Sequence, residues 1–326
     1  MHSNNILDTM KNDKNYNIIY YHNKTLGDKQ YEGIIKNNKL NGIGIEYYEN
    51  GNIEYQGEFI NNEYNGKGTY YCENGDKLYE GEFIDGNYNG KGILYENENK
   101  LYEGDFKNDD YHGQGTYYYE DGDIFKGIFK NGKSNGKGIF YHLNGDKIEG
   151  EFIGGVANGK CKLYNNNGDL IYKGGFKNGV FNGIGTFYFN DGKKYVGNFL
   201  NNKKNGLGLE YWENENIAFK GYFKDGIKDG HGASFKKDGS KEYDGEWKLN
   251  NKNGKGTIYF NNEISYVGDM KNNERDGKGV FYFDNQNTFT YWEGEFKNDS
   301  INGNGILYID GEKKFEGKFD YGKPII

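Results

Sequence analysis

Residues 127–134, Gly-Ile-Phe-Lys-Asn-Gly-Lys-Ser, satisfy G-x-x-x-x-G-K-S, the loop whose backbone N–H groups and lysine cradle nucleotide phosphates. That chemistry needs a buried strand before the loop and a helix after it, with the helix N-terminus facing phosphate. The next residues are Asn135-Gly136-Lys137-Gly138, which read as another strand. The match is a coincidence, and no nucleotide or other cofactor is expected. His2, His22, His112, His142 and His231 are scattered, with none in H-x-x-x-H spacing or beside a cysteine, so no metal site is expected. Cys72 and Cys161 are the only cysteines and form neither a disulfide framework nor a zinc spacing. Carboxylates are plentiful, but acid–base catalysis needs a concave pocket that drives two pKa values apart. The chain therefore reads as non-enzymatic, with no catalytic residues.

Charge narrows the partners. The net charge is −8, from 41 basic and 49 acidic residues, with the signs finely alternated. Nucleic-acid binding draws on a basic stripe that releases phosphate counterions, so nucleic acid is not an expected partner. No apolar run approaches 18 residues, and the start, MHSNNILDTMKNDKNYN, lacks a hydrophobic signal core. A soluble cytoplasmic protein without an anchor of its own is expected.

The elements that carry these residues are set by a repeat. In the 326 residues there are 53 glycines, 32 tyrosines and 22 phenylalanines but one proline. That excludes collagen, and the regular aromatics argue against disorder. The glycine of aromatic-x-Gly-x-aromatic recurs from Gly33 to Gly317 at intervals of 23 or 24, except 26 between Gly268 and Gly294. Nine residues after each of the first twelve stands another glycine, and two further on a third, replaced once by Cys161. The pattern amounts to twelve full repeats and the start of a thirteenth. The expected organisation is an N-terminal segment over 1–30 with a half-repeat at 18–30, the array over 31–322, and a tail over 323–326.

Each repeat reads as a β-hairpin. In the third, Tyr79, Gly81 and Phe83 alternate with Glu80 and Glu82, then comes the loop IDGNYN, then a strand from Gly90 to Tyr95. Asn-Gly and Asp-Gly at 74–75, 121–122, 144–145 and 191–192 join the repeats, because both residues tolerate positive φ. The expected register sets Phe83 opposite Gly90, Gly81 opposite Gly92 and Tyr79 opposite Leu94. Glycines then leave a bare floor on which rings lie, including Tyr102 of the next repeat over the Gly81/Gly92 gap. An aromatic ring buries about 150–250 Å², which outweighs the ~1 kcal/mol entropic cost of a strand glycine. The same register pairs Glu58/Lys67, Glu82/Lys91, Glu151/Lys160, Glu246/Lys255 and Asp269/Lys278 on a solvated second face. Ile34/Ile43, Ile184 and Leu207 break that polarity and mark scattered exposure or a second contact surface.

The motif Y-E-G-E-F, loop, N-G-K-G-T-Y, turn, Y-E-G resembles the MORN (membrane occupation and recognition nexus) repeat over about residues 31–319. His precedes the second-strand glycine only at His112 and His231, and repeat six departs most, with Ile148 and Cys161. The resemblance implies an all-β fold: an elongated single-layer antiparallel sheet of tandem hairpins. At about 10 Å per repeat, twelve repeats span on the order of 115 Å. It also implies a shallow groove lined by the aromatic row Tyr55, Phe59, Tyr79, Phe83, Tyr102, Phe106, Phe125, Phe129, Tyr172, Phe176, Tyr195, Phe199, Phe219, Phe223, Tyr243, Trp247, Trp292 and Phe296. These rings are core first and a peptide or helix groove second.

Members of the family act as scaffolds, as cytoskeletal or membrane-linked organisers, and as targeting modules. The expected function is a non-catalytic scaffold or adaptor that recruits or spaces protein partners at cytoskeletal or membrane-associated structures. A homodimer through the terminal repeats is a second implication, with Pro324 blunting the last edge. The alternatives are a targeting subunit for an enzyme on another chain and a peripheral module binding phosphoinositide headgroups. Weak anionic-lipid contact would fall to Lys193, Lys194, Lys203, Lys204, Lys236 and Lys237, although the charge balance disfavours it.

Overall fold

The computed structural model describes residues 10–21, 29–284 and 288–325. His2, His22 and the middle of the 18–30 half-repeat lie outside the described residues. Almost everything else lies in 27 strands, from β1 (Tyr16–Tyr20) to β27 (Lys323–Ile325), paired antiparallel as successive hairpins. β1 pairs with β2 (Lys29–Lys36), so a strand does precede the first full repeat. Pro324 lies inside β27, opposite Phe319, and the expected tail from 323 is thus a strand. The chain forms two compact units, Met1–Asn158 with Tyr164–Gly168 and Gly159–Leu163 with Asp169–Ile326. Each is built from the same tile.

The tile closes where the sequence suggested a longer loop. β6 (Lys77–Ile84) turns at Asp85 and Gly86, whose φ values of 48° and 80° are both left-handed, and β7 (Asn87–Glu96) starts at once. This is the two-residue turn whose twist matches that of the strands. The joint between repeats is looser. Around 72–76 only Gly75 has positive φ, and the Gly75 N–H donates to the Cys72 carbonyl (2.9 Å).

A bulge absorbs the residues assigned to the loop. Tyr79 opposes Leu94 and Gly81 opposes Gly92, as expected, but Glu82 then opposes Asn89 and Phe83 opposes Tyr88. Gly90 and Lys91 pair forward instead, with Phe106 and Asp105 of the next repeat. The expected Phe83–Gly90 opposition is therefore wrong: Phe83 faces Gly66 of the preceding repeat across the ladder. The hairpin pairs Glu58/Lys67, Glu82/Lys91, Glu246/Lys255 and Asp269/Lys278 fail for the same reason. Opposite charges meet across repeat joints, as Lys67–Glu82, Lys91–Asp105, Lys137–Glu151, Lys255–Asp269 and Lys278–Glu295.

The physical cause is backbone conformation. The middle glycine of the repeat, from Gly42 through Gly66 to Gly303, has a left-handed φ between 55° and 118° in all twelve repeats, as a bulge that inserts glycine requires. The bulge frees the N–H after that glycine, and the second acid of the motif accepts it. Gln114 donates to Asp105 (2.8 Å), Lys278 to Asp269 (2.9 Å) and Asn304 to Glu295 (2.9 Å). Asp105 and Asp269 thus serve both a backbone N–H and a lysine across the joint, Lys91 (2.5 Å) and Lys255 (2.6 Å).

The outer glycines do provide a floor. Gly57 and Gly68 oppose each other, and the ring of Tyr55, from the same repeat, lies across both. A Cβ on Gly68 would sit 2.5 Å from Tyr55 Cε2, too close for any real contact. Tyr79 covers Gly81 and Gly92 in the same way, and Tyr102 covers Gly104 and Gly115, not the Gly81/Gly92 gap. Each tyrosine hydroxyl then donates three residues on, to the carbonyl beside the bulge: Tyr55 to Glu58, Tyr79 to Glu82 and Tyr243 to Glu246, all at 3.0 Å.

Candidate recognition surfaces

All eighteen rings of the expected aromatic groove are buried, from Tyr55 at 0 % exposure to Trp247 at 8 %. They form a zipper. Tyr55 meets Phe59 of its own repeat and Phe83 of the next edge-on, with centroids 5.1 and 5.2 Å apart and planes at 86° and 89°, the geometry that aromatic quadrupoles favour. Their ring faces are spent on glycine and on each other, leaving no open groove between them. Burial also pushes the Tyr172 and Tyr195 hydroxyls up to about 12, so they remain protonated donors.

A row that sequence reading missed covers the zipper. In the first unit Tyr64, Tyr88 and Tyr111 stack face to face on Tyr55, Tyr79 and Tyr102, at 3.9, 3.8 and 4.1 Å. At the same position in the second unit, Phe181 stacks on Tyr172 at 3.8 Å, and cations then take over. Lys204 lies 5.0 Å from the Tyr195 ring centroid, Lys228 4.4 Å from Phe219, Lys252 5.3 Å from Tyr243 and Arg275 5.9 Å from Tyr266, within cation–π range. Acids hold them: Glu210 bridges Lys204 (2.6 Å) and Lys228 (3.3 Å), and Asp299 pairs with Arg275 (3.1 Å). Burial pushes the Glu210 carboxyl up, but the two ammoniums outweigh it and hold the group below the usual range. Glu46, at the matching position in repeat one, has no such cation among the described residues. Burial raises it, the hydrogen bond from Tyr64 (3.0 Å) only partly offsetting this. The signal was readable as the second residue after each hairpin turn, followed in register.

The expected lipid lysines are mostly engaged. Lys193 pairs with Asp191 (2.8 Å), Lys194 with Glu215, Lys204 with Glu210 and Lys237 with Glu213 (2.6 Å), while Lys236 lies over the Phe260 ring. Lys203 is exposed at the start of its strand. No single surface gathers all six. Residues 127–134 form a strand, the turn at Asn131–Gly132, and the start of the next strand, with Phe129 opposite Ser134. Among the described residues no group of three or more His, Cys, Asp or Glu side chains is placed to hold a metal ion.

The open surface is the other face. In the second unit a shallow trough there follows one row of the ladder, Asp244, Thr257, Val267, Val280, Glu293, Ile306 and Glu316, with Lys255, Lys278 and Glu295 in the row beside it. His231 sits at its end, 3.7 Å from Asp244. A corresponding trough in the first unit is lined by Gln56, Glu58, Lys67, Thr69, Glu80, Glu82 and Lys91. Every strand contributes alternate residues to this face, so its chemistry is written by the positions the zipper does not use. Such a surface offers apolar area interspersed with charges of both signs, with an acidic excess.

No curated protein matches the chain. Among solved structures it is similar to BamB from Moraxella catarrhalis at 8% identity, covering 94% of this chain and 88% of that one, with a TM-score of 0.14, a likeness too slight to bear on fold or function. The MORN repeat matches twelve times in tandem, at residues 31–53, 55–77, 79–99, 102–124, 125–147, 149–170, 172–194, 195–217, 219–241, 243–263, 266–288 and 292–313. These matches coincide with the hairpin tiles, and the chain belongs to the MORN repeat family.

Proposed function

We propose that the protein is a non-catalytic scaffold whose polar face captures protein partners. Repeats of this family commonly serve as protein- or membrane-associated scaffold modules. The observation that carries the reading is the trough around Val267, Val280 and Ile306. Its apolar side chains, broken by Glu293 and ended by Asp244 and Glu316, suit a segment in which apolar residues are interspersed with lysine or arginine, the pattern of charge complementarity that sets specificity and on-rate at interfaces. The buried zipper supplies a rigid backing for it. Four of the six candidate lipid lysines are paired with carboxylates, which favours a protein partner over a phosphoinositide surface, because a lipid phosphate must displace a carboxylate at each.

A photo-crosslinking residue at Val267, introduced in the native cell, tests this. The expected product is a discrete adduct carrying a basic segment, together with no pelleting of the purified protein on phosphoinositide vesicles at physiological salt. Pelleting without a protein adduct would overturn the proposal in favour of lipid binding.

A further inference from the structure

The polar face of the second unit changes character between the strands Leu170–Lys177 and Ile227–Phe235. Ile184, Leu207 and Tyr222 stand out of it at 74 %, 50 % and 51 % exposure, with Val196 and Leu209 half-buried alongside. The register makes them contiguous: Thr186 opposes Val196, Val196 opposes Leu209, and Leu207 opposes Tyr222. The rows of this face that carry Glu and Asp in the neighbouring repeats hold no carboxylate here. Their positions are Gly175, Ile184, Asn198, Leu207, Tyr222 and His231 in one row and Lys173, Thr186, Val196, Leu209, Lys220 and Ala233 in the next.

The charges on its two flanks are opposite. On one side stand Lys160 and Lys162, in the Gly159–Leu163 stretch that belongs to this unit. On the other stand Glu246 and Asp244. Lys160, Lys162 and Glu246 are exposed and have no ion-pair partner among the described residues. A two-fold axis parallel to the strands, between Val196 and Leu209, lays Val196 on Leu209 and Ile184 on Tyr222 of the other copy, leaves the exposed Lys173 and Lys220 against Ala233 and Thr186, and sets Lys160 toward Glu246 and Lys162 toward Asp244. That is the self-complementarity an isologous dimer demands. Stacked sheets keep their strand directions within about 30° at a separation of roughly 10 Å, a gap that lysine side chains span.

We propose that this surface pairs with the same surface of a second copy of the chain, face to face. The patch covers six strands at about 4.8 Å each and two rows of side chains. That gives roughly 400 Å² per copy, at the low end for interfaces, so the dimer is weak and concentration-dependent. It is distinct from pairing through terminal repeats, and it shares Asp244 and His231 with the end of the neighbouring trough.

Sedimentation equilibrium of the full chain from about 1 μM to about 500 μM, a range matched to a small interface, tests it. The expected result is a mass rising from 37.4 kDa toward twice that value. Leu207→Glu should abolish the rise, and Ile184→Lys should do the same, with circular dichroism unchanged for at least one of the two. Lys160→Glu and Glu246→Lys should each weaken association about tenfold. The double swap should restore it, because the two positions then face each other across the axis with their charges exchanged and still opposite. A monomer at every concentration would overturn the proposal. So would association that survives Leu207→Glu, or a double swap as weak as its parents.

Discussion

Asn250 and Lys228 bond to each other twice. The Asn250 N–H donates to the Lys228 carbonyl (3.0 Å), and the Lys228 N–H donates to Asn250 Oδ1 (2.8 Å). Asn250 is the second residue of a hairpin turn and Lys228 is the second residue of the second strand (Ile227–Phe235) of the previous hairpin, so the pair ties one repeat to the next. Asn62 and Leu40, Asn202 and Phe181, and Asn273 and Lys252 repeat the arrangement, while Asp109 and Asp299 do it with a carboxylate. Where the turn residue is glycine, as at Gly86 and Gly132, only the N–H half remains.

This predicts that Asn250→Gly keeps the turn, whose φ is 66°, and loses one hydrogen bond, costing about 1 kcal/mol in urea denaturation. Asn250→Asp should lie within about 0.5 kcal/mol of wild type, as surface changes that preserve a bond do. Equal stability of the glycine variant and wild type would show that the side-chain half contributes nothing.

The two kinds of glycine should separate by mutation. Gly68→Ala forces the Tyr55 ring off its floor and should cost about 3 kcal/mol or more, as overpacking against a buried aromatic does. Gly66→Ala should cost about 1–2 kcal/mol, from its left-handed backbone. In a Tyr55→Ala background the Gly68→Ala penalty should largely vanish and the Gly66→Ala penalty should persist, a coupling readable from a double-mutant cycle.

Two glutamates at the same repeat position should respond oppositely to pH. Glu46 has a raised carboxyl, so its folded state holds a proton that the unfolded state releases. The stability it contributes is full below the ordinary glutamate range and lost as pH rises through the folded value. Glu46→Gln should therefore raise the unfolding midpoint at pH 7 and matter little at pH 4. Glu210 is lowered, and its contribution is present above the ordinary range and lost as pH falls through the folded value. Glu210→Gln should lower the midpoint at pH 7, and that deficit should shrink on acidification.

The period of the fold was legible because glycine and aromatic positions are fixed to the residue along twelve tiles. The bulge was not. In Asn65-Gly66-Lys67-Gly68 the two glycines look alike, and only the sign of φ separates the one that bends the strand from the one that receives a ring. That ambiguity shifted the register by the length of the bulge and misplaced the Glu/Lys pairs. The aromatic row was found, but composition cannot say whether a ring's face is open. Tyr64 and Lys228 hold the same place in the tile, and their shared role as the zipper's cover emerges only when stacking and cation–π contacts are seen together. The open trough was hidden because its residues vary from tile to tile while the zipper beneath them stays constant.

Capture of a partner at the trough rests most directly on one number, the dissociation constant of the protein crosslinked from Val267, measured by calorimetry for wild type and for Val267→Glu. Val267 is 40% exposed in the trough, so the substitution should leave the unfolding midpoint unchanged. Binding is predicted to weaken at least tenfold, about 1.4 kcal/mol. An unchanged dissociation constant in a folded variant would contradict capture at this surface.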